Sequence, residues 1–181
     1  MEITGENTIA ADIETVWKGL NDPEILRLSI PGCESLERTG ENRFKATVVT
    51  KIGPITARFN GEVELQDLNP PTSYTIVGTG SAGAMGAAKG KAYVTLKEVP
   101  EGTHLGYKVD ADISGRIAQL GGRLIQSTAG ILAGQFFKTF SNRVSGEEAP
   151  VQTTPKGGVP VWVYIVGGLV VLGLIAYFAL A

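Results

Sequence analysis

Alternation of apolar and polar side chains predicts a series of antiparallel strands. Five runs place apolar residues at every second position, as in strands with one buried face. They are Phe44, Ala46 and Val48; Phe59, Val63 and Leu65; Tyr74 and Ile76; Val94 and Leu96; and Leu105, Tyr107, Val109, Ala111 and Ile113. Turn-forming sequences separate the runs at residues 40–42, 53–54, 69–71 and 100–102. We therefore expect an antiparallel meander.

Helical signals lie on both sides of this region. Residues 2–10 alternate like a strand, and Asp12 then caps a short helix that ends near Leu20. Asp22 and Pro23 begin a second short helix through Leu28, with proline in its first turn. From Ser114 to about Val144 the apolar period is helical, with one stripe formed by Ile117, Leu120, Leu124, Ile131, Phe136 and Phe140.

These elements predict an α+β helix-grip fold for residues 1–144, in which an antiparallel sheet wraps on a long C-terminal helix. A concave sheet closed by one helix tends to leave an apolar cavity, which is the usual setting of a ligand site. Gly121, Gly122, Gly130 and Gly134 on the long helix lower its stability. They indicate close approach of another surface or space for a ligand.

Residues 159–181 (VPVWVYIVGGLVVLGLIAYFALA) contain no charged side chain. As a helix they would extend about 34 Å, enough to cross a hydrocarbon core of about 30 Å. Residues 145–158 are polar and rich in Pro, Gly and Thr, which predicts a flexible linker. The N-terminal sequence lacks the pattern of a signal peptide, and the basic residues precede the span, so we expect a single-pass anchor with the folded domain on the cytoplasmic side.

Composition and motifs argue against several functions. The chain has a formal net charge of −2 and no basic run, so nucleic-acid binding is not expected. Its one cysteine, Cys33, and one histidine, His104, provide no disulfide, metal cluster or catalytic triad. Residues 78–83 match G-x-G-x-x-G but lack the surrounding βαβ unit of a dinucleotide site. We expect no enzymatic activity, and we interpret residues 78–90 as a small-residue hairpin at the cavity wall that acts as a flap.

The candidate ligand-binding residues combine an apolar lining with a few polar groups. From the long helix, Leu120, Leu124 and Thr128 are expected to face the cavity, opposite Phe59, Tyr74 and Tyr107 on the sheet. Leu26, Leu28, Ile30 and Met85 are expected to surround its entrance. Each of these side chains has an alternative interpretation as an ordinary core or rim residue.

Three segments and an aromatic pair carry a resemblance to a known family. They are residues 22–34 (DPEILRLSIPGCE), residues 49–61 (VTKIGPITARFNG), residues 118–124 (AQLGGRL), and Phe136 with Phe137. Residues 1–140 resemble the CoxG family of carbon monoxide dehydrogenase, within the START-like (SRPBCC) superfamily of helix-grip proteins. The resemblance implies an accessory protein that recruits a molybdenum-containing carbon monoxide dehydrogenase, or a related hydroxylase, to the cytoplasmic membrane and carries no metal or flavin cofactor of its own.

The resemblance and the predicted cavity together suggest a ligand. A dehydrogenase that feeds a respiratory chain must reach quinone in the bilayer, so our leading hypothesis is that the domain binds menaquinone or ubiquinone. Two alternatives remain open at this point: a docking anchor without a ligand, and a lipid-binding START-like cyclase or hydrolase.

Overall fold

The computed structural model describes residues 1–146. The strands are β1 (Glu2–Ile9), β2 (Cys33–Arg38), β3 (Arg43–Ile52), β4 (Ile55–Asn69), β5 (Ser73–Ser81), β6 (Ala87–Val99) and β7 (Gly102–Ile113). The α-helices are α1 (Ile13–Leu20), α2 (Pro23–Ser29) and α3 (Gly122–Val144). Short 3-10 helices occupy Gly83–Met85 and Ala118–Leu120.

All seven strands form one antiparallel sheet in the order β1-β7-β6-β5-β4-β3-β2. Strands β2 to β7 follow one another as hairpins, which confirms the predicted meander. The first strand pairs with the last, so β1 and β2 form the two edges of the sheet. Consecutive antiparallel strands with short turns account for this order, because each hairpin places the next strand beside the previous one.

Aspartate caps begin both short helices, as the sequence predicts. The Asp12 carboxylate accepts a hydrogen bond from the Thr15 backbone N–H at 2.9 Å and another from the Thr15 hydroxyl at 2.7 Å. The Asp22 carboxylate accepts from the backbone N–H groups of Glu24 and Ile25 at 2.8 and 3.0 Å. These bonds satisfy backbone donors that the first turn of a helix leaves without partners.

The long helix begins later than the apolar period predicts. Residue Gly121 has φ +86, a left-handed conformation that an α-helix does not contain, and α3 starts only at Gly122. The segment before it contains the 3-10 turn Ala118–Leu120, which ends at Gly121. The prediction of one helix from Ser114 is therefore wrong, and α3 has 23 residues.

The core lies between the concave face of the sheet and the helices. Its fully buried members come from most elements of the fold, and they include Val16 on α1, Val48 on β3, Phe59 on β4, and Leu132 and Phe140 on α3. The helix-grip prediction is confirmed for residues 1–146. Within those residues no helix is long and apolar enough to cross a membrane. The span predicted for residues 159–181, and the linker from residue 147 onward, lie outside the described residues.

Candidate functional site

A cavity of about 100 Å³ lies between the concave sheet, α2 and the C-terminal half of α3. Every lining side chain is aliphatic or aromatic, and only two tyrosine hydroxyls bring polar atoms. The lining consists of Leu20, Leu26, Ile30, Leu36, Phe44, Val63, Leu65, Tyr74, Ile76, Val94, Leu105, Tyr107, Phe136 and Phe137. Cavities with such walls stay dry and bind apolar molecules.

The pairing of the strands places Tyr74 and Tyr107 on either side of Val94. Tyr74 on β5 is the cross-strand partner of Val94 on β6, and Val94 is in turn the partner of Tyr107 on β7. Side chains at directly opposite positions share one face of the sheet. All three therefore stand side by side on the concave face and line the same cavity.

Tyr74 is a buried residue whose hydroxyl has no hydrogen-bond partner within residues 1–146. The residue is 5% exposed, and its ring meets the Trp17 ring edge-on, with centroids 5.4 Å apart. Burial raises the pKa of Tyr74 above its ordinary value, so the phenol stays protonated and can donate a hydrogen bond at neutral pH. An unpaired donor of this kind is available to a ligand acceptor.

Tyr107 is half-buried and held by an aromatic neighbour. Its ring stacks on Phe137 of α3 with a centroid distance of 5.7 Å and an interplanar angle of 24°. Phe137 also meets Phe136 edge-on at 5.1 Å. Burial raises the pKa of Tyr107, so this hydroxyl is also a donor at neutral pH. Like the Tyr74 hydroxyl, the Tyr107 hydroxyl has no hydrogen-bond partner within residues 1–146.

The structure brings together four of the ten residues predicted to bind a ligand. Leu26, Ile30, Tyr74 and Tyr107 line the cavity. The wall contributed by α3 comes instead from Phe136 and Phe137, which the sequence pattern did not single out as lining residues. Their signal was present, because adjacent phenylalanines on a helix place two large rings on neighbouring parts of its buried face.

The other predicted residues of the sheet and long helix lie elsewhere. Phe59 is 2% exposed and packs in the core below the cavity wall rather than on it. Leu124 lies outside the cavity. It is 37% exposed and packs over Gly53 of the β3–β4 turn. Leu120 belongs to the 3-10 turn before α3 and packs against the core edge. Thr128 is buried but donates its hydroxyl hydrogen bond to the Leu124 backbone carbonyl at 2.8 Å.

Of the two segments predicted to surround the entrance, residues 26–32 contribute side chains to the cavity lining and residues 81–88 do not. On α2 only Ser29 is buried, while Leu26 and the following Ile30 reach into the cavity. Leu28 points away from it and is 40% exposed. Six of the seven residues of α2 are partly or fully exposed, although Ile25 and Leu26 pack against the core.

Residues 78–90 form the predicted hairpin, but none of them lines the cavity. Most of its glycines lie within strands, since Gly78 pairs with Gly90 across β5 and β6. At the connection, a Cβ atom on Gly86 would overlap the Ser114 carbonyl, so two backbones are in direct contact. Met85 packs against the core, and its carbonyl accepts a hydrogen bond from Ile117 at 3.1 Å. Met85 does not line the cavity.

The described residues contain no group of three His, Cys, Asp or Glu side chains that could hold a metal. His104 lies on the outer face of β7, 3.5 Å from the Glu6 carboxylate of β1. The G-x-G-x-x-G sequence lies on β5 and the turn after it, in an antiparallel hairpin without a crossover helix. Burial raises the pKa of the Cys33 thiol to about 11, so the nucleophilic thiolate is scarce at neutral pH.

Comparison with known proteins agrees with the fold. The CoxG family model, which describes a subunit of carbon monoxide dehydrogenase, matches residues 5–145. A conserved protein from Geobacillus kaustophilus has a similar structure, with 28% identity, a TM-score of 0.76, and coverage of 81% of this chain and 96% of that one. A START superfamily protein from Mycobacterium smegmatis is 15% identical with a TM-score of 0.61, covering 80% and 97% of the two chains. Among curated proteins, none matches the sequence.

Proposed function

The chain belongs to the CoxG family of carbon monoxide dehydrogenase, and from this premise we propose that it is a membrane-anchored accessory protein of a respiratory dehydrogenase. In this proposal it recruits a molybdenum-containing carbon monoxide dehydrogenase, or a related hydroxylase, to the cytoplasmic membrane. Its domain takes menaquinone or ubiquinone from the bilayer into the apolar cavity and presents it to the docked enzyme. The role is one of binding and delivery, not catalysis.

The unpaired Tyr74 hydroxyl in an otherwise apolar cavity is the observation that carries the proposal. A quinone has the complementary chemistry, since it combines an apolar isoprenoid tail with carbonyl oxygens that only accept hydrogen bonds. A protonated phenol donates such a bond, and the aliphatic walls accommodate the tail. Tyr107, on the far side of Val94, lines the same cavity with its ring, while its hydroxyl lies over Gly5 of β1.

The cavity is small for an organic ligand. Sites for organic ligands of ordinary size have volumes of about 300 to 1,000 Å³, against the about 100 Å³ found between these side chains. Binding therefore requires part of the wall to move outward. We propose that α2 provides this movement, with Leu26 and Ile30 withdrawing from the space that the ligand enters.

Quinone retention by the full-length protein tests the ligand. The protein is purified from membranes in mild detergent, extracted with organic solvent and analysed by mass spectrometry. We expect about one quinone per chain in the wild type and a reduction of about two- to tenfold for Tyr74→Phe, which removes one hydrogen bond. Tyr93→Phe is the matched control, because Tyr93 is exposed on the outer face of β6. Extraction of phospholipid alone, or of nothing, would contradict the proposal.

Membrane recruitment is tested separately by deletion of residues 159–181. The core that stabilises the domain lies within residues 1–146, so the truncated protein should remain folded. We expect the partner dehydrogenase to move to the soluble fraction while it keeps its activity with a soluble dye. If the dehydrogenase stays on the membrane, the chain does not recruit it.

A further inference from the structure

The side of α3 that faces away from the sheet is an exposed surface with both apolar and basic side chains. Leu124, Ile131 and Lys138 follow one another at intervals of one heptad, so they share one side of the helix. Leu124 is 37% exposed and Ile131 is 45% exposed. We call this surface, with the exposed Arg123 and Ser127 beside it, the outer face of α3.

Much of the outer face is uncovered in the described part of the chain, although Leu124 packs over Gly53 of the β3–β4 turn. Cβ atoms added at Gly130 and Gly134 would have no atom within 4 Å. Large aliphatic side chains on a solvent-facing helix normally occur singly. Leu124 and Ile131 lie in line, and the nearby glycines have open space above them. Together they form a flat apolar strip on the surface.

The charge of this region differs from that of the rest of the domain. No aspartate or glutamate occurs between Asp112 and Glu147, whereas Arg116, Arg123, Lys138 and Arg143 lie in this interval. None of these four forms an ion pair with residues 1–146, although Arg143 lies close enough to Glu24 to contribute to the lowered pKa of that carboxyl. On the outer side of the sheet, by contrast, basic residues pair across strands, as Lys108 does with Glu2 at 2.7 Å and Lys45 with Glu62 at 3.8 Å. Arg123 and Lys138 on α3 thus keep their charge available to an external anion.

We propose that the outer face of α3 docks on the membrane surface and binds the phosphates of anionic lipids. Leu124 and Ile131 enter the headgroup boundary, while Arg123 and Lys138 contact the lipid phosphates. Each basic side chain near an anionic bilayer strengthens binding by about fivefold. An exposed strip that pairs aliphatic with basic residues is the chemistry of helices that lie in the membrane interface.

The position of the chain beyond α3 supports a membrane as the occupant. Helix α3 ends at Val144, and the uncharged segment proposed as the anchor begins at residue 159. The predicted linker between them reaches about 20 Å, so an anchored domain stays close to the bilayer. Two basic residues then suffice, because tethering raises the effective concentration of the surface to about the millimolar range. The inference rests on the proposed anchor.

Docking in this orientation places the ligand's route beside the bilayer. Helix α2 packs against α3, and Leu26 and Ile30 line the same cavity as Phe136 and Phe137. With α3 on the membrane surface, the helix proposed to open lies next to the lipid phase from which the quinone comes.

Depth-dependent fluorescence quenching of the full chain in vesicles tests the docking surface. In a Cys33→Ser background, an environment-sensitive fluorophore is attached through Ser127→Cys on α3 or through Thr95→Cys on the outer side of β6. Vesicles contain phosphatidylcholine with or without phosphatidylglycerol, and a spin-labelled lipid with its quencher near the headgroup. We expect at least about twofold stronger quenching at position 127 than at position 95 in phosphatidylglycerol vesicles, with the difference reduced by high salt.

Charge variants separate a membrane surface from other occupants. Arg123→Glu with Lys138→Glu should abolish the excess quenching, Arg123→Lys with Lys138→Arg should retain it, and the matched reversal Lys91→Glu with Lys97→Glu on β6 should not change it. Equal quenching at both positions overturns the proposal. So does quenching that requires added dehydrogenase, which would make the face an enzyme-docking site, or quenching that depends on protein concentration, which would indicate a second copy.

The outcome also distinguishes this inference from the proposed function. If the chain co-floats with vesicles but position 127 is not quenched, only the docking surface is wrong. If the chain does not co-float at all, the anchor is wrong as well. Quinone retention should be unchanged in the Arg123→Glu, Lys138→Glu variant, because neither residue lines the cavity.

Discussion

Tyr107 of β7 lies directly over Gly5 of β1, its cross-strand partner. A Cβ atom on Gly5 would overlap the Tyr107 hydroxyl, so the tyrosine ring can take its place beside the cavity only because residue 5 has no side chain. Phe137 stacks on the same ring from α3. The position of one wall of the cavity is thus determined by a glycine on an edge strand that itself contributes nothing to the lining.

Gly5→Ala should therefore change ligand binding more than stability. The new methyl group displaces the Tyr107 ring toward the cavity and reduces the space for a ligand. We expect less quinone to co-purify, with a loss of about 1–3 kcal/mol in the free energy of unfolding from overpacking. Gly106→Ala is the control, since its Cβ would meet only Thr95 on the outer face. Equal quinone retention in the wild type and both variants would exclude a role for the Tyr107 position.

Val94→Phe should fill the cavity without unfolding the domain. Val94 stands between Tyr74 and Tyr107 and borders free space. The larger ring can occupy that space, so we expect a change in the free energy of unfolding of less than about 1 kcal/mol. Bound quinone should be lost. The measurements are denaturant unfolding and quinone extraction on the same preparations.

Leu124→Arg provides a contrast to Val94→Phe, because it should leave quinone binding unchanged. A charge on a cavity wall would disturb the site, but Leu124 lies outside the cavity and is accessible to solvent. We expect unchanged quinone retention and unchanged stability within about 0.5 kcal/mol. Loss of quinone from this variant would mean that the site extends to the N-terminal half of α3.

The sequence could predict the elements that depend on local chemistry. Asp12 and Pro23 begin their helices as expected, and the alternating runs became strands with the expected buried faces. These features depend on interactions between residues close in sequence, such as the hydrogen bond that Asp12 accepts from the Thr15 N–H. The meander followed because the short turns leave few other ways to connect the strands.

The cavity wall could not be predicted in the same way, because it depends on the rotation of α3 about its own axis. The predicted stripe runs through Leu124, Ile131 and Phe136, but the five-residue step from Ile131 to Phe136 changes the side of the helix. The structure buries Ile125, Leu132 and Phe136 instead, and leaves Leu124 and Ile131 outside. Only the curved sheet determines which of two partly apolar sides is covered.

Gly86→Ala should destabilise the domain much more than Gly83→Ala. Both residues have positive φ, but Gly86 at +129 contacts the Ser114 carbonyl, whereas a Cβ on Gly83 at +57 has open space around it. We expect a loss of about 1–2 kcal/mol at position 83 from backbone strain alone. The loss of stability at position 86 should be larger, because the backbone at Gly86 and the backbone at Ser114 must move apart. Similar losses in denaturant unfolding would mean that this contact does not hold the segment in place.

The stability of the wild type should fall with pH above about 10, and Tyr74→Phe should reduce that fall. In the unfolded chain a tyrosine ionises near pH 10. Burial raises the pKa of Tyr74 in the folded domain, so above pH 10 the unfolded state releases a proton that the folded state retains. The unfolded state is then favoured as pH rises. At pH 7 the variant should be as stable as the wild type or more stable by up to about 1 kcal/mol, because the lost hydroxyl has no partner within residues 1–146.

The experiment is denaturant unfolding between pH 7 and 11 in a Cys33→Ser background. That substitution removes a second group whose contribution to stability also falls as the pH rises. Burial raises the pKa of Cys33 as it does that of Tyr74, and the Cys33 thiol donates to the Ser35 carbonyl at 3.3 Å. Lysines titrate alike in both proteins, so the difference in slope isolates Tyr74. Identical slopes would show that the Tyr74 phenol is reached by solvent in the folded state, and a large loss of stability at pH 7 would show that its hydroxyl has a structural partner. Either result would remove the free donor on which the quinone site depends.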